Sequence, residues 1–159
     1  MERGRLYLAA MKGDWKSVED MPVIQKEICK SGETTLHIAV AANQELFVRK
    51  LLEWMLSNDC NLTATNKTGS TALAFAAAVG NMNIAEMMVA INANLPNIAT
   101  SGEKPKKPVY VAAFSGHSEM VRYLKDNTAM DENERAEIFI ICVKNDLYGK
   151  PKYLSFIMV

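Results

Sequence analysis

Little in this chain is charged in surplus. Lys and Arg number 18, and Asp and Glu number 18, so no overall field draws it toward nucleic acid or an anionic membrane. Cysteine is scarce. Cys29, Cys60 and Cys142 form an odd, scattered set, which argues against a disulfide framework and for a reducing compartment such as the cytoplasm. The N-terminus lacks an apolar run of signal-peptide length, and no apolar stretch approaches the ~20 residues a membrane helix needs. The apolar end, Tyr153 to Val159, is far too short to span, so direct membrane insertion by this chain is not expected. A phosphate-binding glycine loop of either common type is missing. Two His and three Cys show neither C-x-x-C nor H-x-x-H spacing, which removes the usual zinc frameworks. No metal, no cofactor and no nucleic-acid partner is therefore expected.

What is present is apolar and short-sided. Hydrophobic residues make up 49% of the chain, and ten of them are Met, a composition suited to packed helices. The stretch Gly32-Glu33-Thr34-Thr35-Leu36-His37-Ile38-Ala39 reads as turn, cap and short helix. Gly32 suits positive φ, the Thr34 hydroxyl can accept from a free amide of the first turn, and Leu36 and Ala39 share one helix face. Asn43 follows, a residue that tolerates the left-handed conformation ending a helix. The pattern recurs at Leu6 to Gly13, Leu73 to Gly80 and Val109 to Gly116. In each copy a small residue stands three after the leading apolar one, and Gly or Asn stands seven after it. The steps between leading residues are 30, 37 and 36.

Those steps bracket the ankyrin period of roughly 33 residues. Gly32 to Ala39 resembles the ankyrin G-x-T-P-L-H-x-A signature with Thr35 in place of Pro, and Gly69 to Ala76 resembles it with Ala72 and Ala74 in place of Pro and His. The resemblance implies an all-α ankyrin-repeat solenoid of stacked helix-turn-helix units, one domain over residues 1–159. Its repeats fall near 5–22, 29–57, 66–92 and 105–126, with a partial unit over 134–159. The opening Leu-Tyr-x-Ala-Ala-x-x-Gly-Asp-Trp, Leu6 to Trp15, is similar to the first repeat of a plant ankyrin family whose longer members carry a C-terminal membrane domain (PGG). That implies a relative, or a shortened form, of a membrane-associated stress or defence-signalling protein.

Read in order, Asp14 is expected to cap a second helix carrying Trp15, Val18 and Met21, ended by Pro22. The outer helix after Asn43 carries Phe47, Val48, Leu51 and Leu52, and the one after Gly80 carries Ile84, Ala85, Met88 and Val89, both stripes to be buried. Residues 92–108 read as a mobile loop with a solvated cluster of Lys104, Lys106 and Lys107. Pro105 and Lys107 stand where Gly and Thr are expected, so the fourth turn reads as degraded. Ala136 to Lys144 reads as a further inner helix, with Ile138 leading, Ile141 in the small position and Asn145 as the stop. Gly149, Lys150 and Pro151 argue against an outer helix after it.

The candidate chemistry is structural. His37 is expected to bond Thr34 and nearby backbone, and His117 to act as a cap or surface residue. Cys29 stands at a turn position where the family usually has Asp. The expected function is non-enzymatic binding of another protein on the concave surface, with an enzyme of unknown type as the rival from another class. Contact positions follow from the repeat geometry the resemblance implies: Met11, Lys12, Ala41, Ala42, Ala78, Val79, Phe114 and Ser115 at the ends of inner helices, with Lys30, Ser31, Glu33, Lys67, Thr68 and Ser70 in the turns. Most are small or apolar, which suits a hydrophobic contact rimmed by charge, and Phe114 is the expected hot spot.

Overall fold

The computed structural model describes residues 2–145 and residue 147. Among them the elements are all helical. The α-helices are α1 (Glu2–Lys12), α2 (Thr35–Ala41), α3 (Glu45–Ser57), α4 (Ala72–Val79), α5 (Met82–Ile91), α6 (Pro108–Phe114), α7 (Ser118–Asp126) and α8 (Glu132–Lys144), with 3-10 turns at Trp15–Ser17 and Leu95–Asn97. From α2 to α7, short inner helices alternate with longer outer ones. The inner row stacks in the order α1, α2, α4, α6, α8, while α3, α5 and α7 each pack behind the inner helix that precedes them. Gly13, Asn43, Gly80 and Gly116 all take positive φ, so each stop reverses the chain as its residue type requires. The core is continuous from Leu6 to Cys142 and holds the apolar stripes of α3, α5 and α7.

The helix expected after Asp14 does not form. Only the turn Trp15–Ser17 is helical. Ser17 folds back on Asp14, its amide donating to Oδ1 at 3.3 Å and its hydroxyl to the Asp14 carbonyl at 3.0 Å, a local pairing that competes with helix. Pro22 then keeps Met21 out of the α region. The segment is still anchored: Val18 and Ile24 are buried, and Trp15 stands edge-on to Phe47 at 5.4 Å.

The turns before α2, α4 and α6 form finger-like hairpins. Isolated bridges pair Glu27 with Thr34 and Thr65 with Thr71. Each finger is closed by one equivalent backbone bond: Cys29 N–H to Glu33 O, Asn66 N–H to Ser70 O, and Thr100 N–H to Lys106 O. The third of these spans two residues more than the others. The fourth turn is therefore lengthened and not lost, and its glycine is Gly102. The Thr100 hydroxyl accepts from the Lys106 amide at 2.9 Å, as Asn66 Oδ1 accepts from the amides of Thr68 and Ser70. The loop is further anchored by Leu95 and Pro96, both buried.

The lysines of this loop are not a solvated cluster either. Lys106 lies 2.6 Å from the Glu137 carboxylate, and Lys107 lies 2.8 Å from that of Glu134, so both latch the fourth finger to α8. Of the three, only Lys104 is exposed. Helix α8 starts four residues earlier than Ala136, because Asp131 caps it and Glu134 reaches back to the Asp131 amide. In α1, α2 and α6 a late amide closes on the small residue, from Asp14 to Ala9, Gln44 to Ala39 and His117 to Ala112; in α8 this bond runs from Leu147 to Cys142. Cys142, buried, fills the small position there, and Ile141 does not. The partial outer unit expected around Gly149, Lys150 and Pro151, and the apolar end Tyr153 to Val159, lie outside the described residues.

Candidate functional site

His37 sits at the join of two repeats, buried. Its Nε2 meets the Ser70 carbonyl of the next finger at 3.0 Å. A carbonyl only accepts, which puts the ring proton on Nε2. Nδ1 is then the acceptor for the Thr34 amide at 3.2 Å and the Thr34 hydroxyl at 2.8 Å. Both ring nitrogens are engaged. The Thr34 hydroxyl is thus spent on His37 and on Gln25, which donates to it at 2.9 Å. Gln25 Oε1 accepts the Leu36 amide at 3.1 Å, so a residue from the preceding segment serves the first turn of α2. No periodicity could have shown Gln25.

Burial pushes the His37 pKa below the ordinary 6.5, against weaker opposing effects of the Ser70 carbonyl and Glu33. An imidazole harder to protonate when folded contributes fully above its unfolded pKa, and the contribution is lost as pH falls below about 6.5 toward the folded value. Glu33 is also held below its ordinary 4.5, first by the Ser31 hydroxyl, so its own loss comes at lower pH. The melting temperature of the chain should therefore fall on acidification below about pH 6.5, and His37→Gln should flatten that slope. Parallel slopes in thermal melts of the two proteins would rule the account out.

The third repeat shows what the histidine does by lacking it. Ala74 stands where His37 would, and the Thr71 hydroxyl is left without a partner, the one such buried side-chain oxygen among the described residues. Thr71→Val keeps the shape and removes the stranded hydroxyl, and should raise the unfolding free energy by about 1 kcal/mol. A denaturant titration showing a loss would mean that the hydroxyl has a water or protein partner.

The candidate binding face is the exposed edge of the inner row. Repeat equivalence pairs Tyr7 with Tyr110 and Met11 with Phe114, and places His37 with Ala41 and Ala74 with Ala78 between them. Met11 is 42% exposed and Phe114 70% exposed. The middle is low: Ala41 and Ala78 are exposed but small, and His37 and Ala74 are buried. The face is thus a shallow saddle with bulky apolar ends. At its C-terminal end Tyr110 and Phe114 stack at 6.5 Å and 7°, and the Lys106 ammonium lies 4.3 Å over the Tyr110 ring.

Of the other expected contact residues, Lys12, Lys30, Ser31, Lys67, Thr68 and Ser115 are exposed, and Ala42, Glu33, Ser70 and Val79 are half-buried. The structure brings the finger residues together in a second row. Ser31 O accepts the Lys67 amide and Thr68 O the Ser101 amide, each at 2.9 Å, and Glu33 accepts from Asn66 at 2.9 Å. Tyr110 and Lys106 were not among the expected contacts. The four-residue step from Tyr110 to Phe114 was the available signal, since such residues share a helix face.

Two of the thiols are quiet. Burial, with Glu33 adding to it, pushes the Cys29 thiol up, and burial pushes Cys142 up to about 11. Neither is a ready nucleophile at neutral pH. Among the described residues no group of His, Cys, Asp or Glu is placed to hold a metal ion, and no helix is long and apolar enough to cross a membrane. The family model for ankyrin repeats (3 copies) matches residues 6–99 and 48–136. A search of curated proteins finds no match.

Proposed function

The chain belongs to the ankyrin-repeat family, whose members are in general protein-interaction modules, and from that premise we infer that it binds another protein, without catalysis, on the saddle of the inner row. The observation that carries this reading is Phe114. A phenylalanine 70% exposed and stacked on Tyr110 presents most of its ring to solvent, as an aromatic anchor for a partner should. The small Ala41 and Ala78, which lie between Met11 and Phe114 in the row, leave room for a partner's larger side chains. Inner helices lie roughly 8–10 Å apart, so a partner seated between Met11 and Phe114 spans three such steps. The engagement of both His37 nitrogens and the raised thiol of Cys29 support a structural reading of the two residues nearest to a catalytic pair.

The test is affinity capture from the source tissue, followed by titration of the captured protein. Phe114→Ala should leave the melting temperature unchanged and weaken binding by about 30-fold, the ratio for a 2 kcal/mol hot spot. Undiminished binding by the variant would move the site off this face. A second reading rests on the resemblance of Leu6 to Trp15 to the plant family with a membrane domain, for which this chain would be the soluble portion, at the cytoplasmic face of a membrane. Membrane-spanning segments in the transcript beyond the codon for Val159 would support it, and a stop codon there would exclude it.

A further inference from the structure

The three middle helices of the inner row, α2, α4 and α6, carry no Lys, Arg, Asp or Glu. Charge begins at the fingers beside them. Lys30, Lys67 and Lys104, one in each finger, are exposed and have no ion-pair partner among the described residues. The neighbouring lysines are engaged: Lys26 by Glu2, Lys106 by Glu137 and Lys107 by Glu134. Lys30 and Lys67 are equivalent, each following the residue whose amide closes its finger. A finger is a hairpin two segments wide, so at the ~4.8 Å spacing of adjacent segments such residues lie about 10 Å apart. Three carboxylates share the region. Glu33 is already bonded within it, one oxygen accepting from the Ser31 hydroxyl and the other from Asn66 at 2.9 Å. Glu27 in the first finger and Glu103 in the last are exposed.

Resting on the binding role of the saddle, we propose that its partner presents an acidic segment of a protein chain. Apolar side chains of that segment sit on the inner helices, and its carboxylates reach Lys30, Lys67 and Lys104. An uncharged face flanked on the finger side by unpaired ammonium groups complements a segment apolar on one side and acidic on the other. The carboxylates among the lysines argue against a nucleic acid on the same row. A nucleic-acid strand repeats its charge at every nucleotide, ~3.4 Å apart along a duplex strand, and would bring phosphates onto Glu27, Glu33 and Glu103. An extended peptide with an acid at each third residue places its charges ~10 Å apart, and passes those carboxylates with neutral residues.

The experiment pans the full chain against a displayed library of random peptides of about 16 residues, long enough to follow two ~10 Å steps. Enriched peptides should combine Asp and Glu with aliphatic or aromatic residues. A synthetic copy of the strongest should lose about tenfold in affinity when Lys30→Gln, Lys67→Gln and Lys104→Gln are combined, as expected of three exposed charge pairs. Glutamine keeps most of each aliphatic stem, so the melting temperature should not move. Added salt should weaken the wild-type complex more than the triple variant's. Neutral or basic peptides, an affinity indifferent to the three substitutions, or a library without a binder would overturn the proposal. So would displacement of the peptide by a single-stranded oligonucleotide of equal affinity, which would assign the row to nucleic acid. Phe114→Ala separates this proposal from the reading beneath it. Neutral peptides weakened by Phe114→Ala would leave the saddle as the site and remove only the acidic partner. Acidic peptides indifferent to Phe114→Ala would overturn the saddle itself, and this placement with it.

Discussion

Leu51→Ala should lower the unfolding free energy by roughly 2–5 kcal/mol, the range for emptying a buried leucine site. Leu51 is fully buried on α3, and α3 packs both on α2 within its own repeat and on α5 of the next. The void would thus open at a junction of two repeats, where neither helix can close it without leaving its other neighbour. Against a typical total of about 5–15 kcal/mol the loss is large. A urea titration at constant slope would measure it, and a loss below about 0.5 kcal/mol would mean α3 does not face the core.

Gly69→Ala is the second large effect. Gly69 holds φ at 76°, a conformation that costs an L-residue about 1–2 kcal/mol. A Cβ there would also run into the Ser101 amide, with the Thr100 carbonyl carbon 3.0 Å away. Ser101 could retreat only by giving up its bond to Thr68 O, at about 1 kcal/mol more. The sum is roughly 2–3 kcal/mol. Gly102→Ala supplies the control. It has φ of 106° but meets nothing within 4 Å among the described residues, so it should show the conformational cost alone. Equal losses in the two variants would show that the fingers do not press on one another.

The repeat was legible because its signal is redundant. A leading apolar residue, a small residue and a stop recur at fixed spacing, and each is dictated by a local need: burial, close helix approach, positive φ. What was not legible lay between repeats. The Asp14 segment has helical periodicity, but Ser17 pairing with Asp14 and the proline behind it prevail. The fourth finger looked degraded because two inserted residues moved its glycine to position 102, and only the bond from Thr100 to Lys106 restores the correspondence. Lys106 and Lys107 looked solvated because their partners, Glu137 and Glu134, come from another repeat. Tyr110 escaped notice for the opposite reason: its signal was local, a four-residue step to Phe114, but it mattered only once the stack was seen.

The bonds that close one inner helix onto the next share a sense. Gln44 Nε2 donates to the Met11 carbonyl at 3.0 Å, Asn81 Nδ2 to Asn43 Oδ1 at 2.7 Å, His117 Nε2 to the Ala78 carbonyl at 2.9 Å, and Asn145 Nδ2 to the Ala113 carbonyl at 2.9 Å. In these four bonds the later repeat gives and the earlier one receives, whereas His37 to Ser70 and Lys106 to Glu137 run the other way. During synthesis, which proceeds from the N-terminus, the acceptors of these four bonds therefore stay open until the following repeat has left the ribosome. The order of translation and the order of completion coincide, and the chain is finished one junction behind its own growing end.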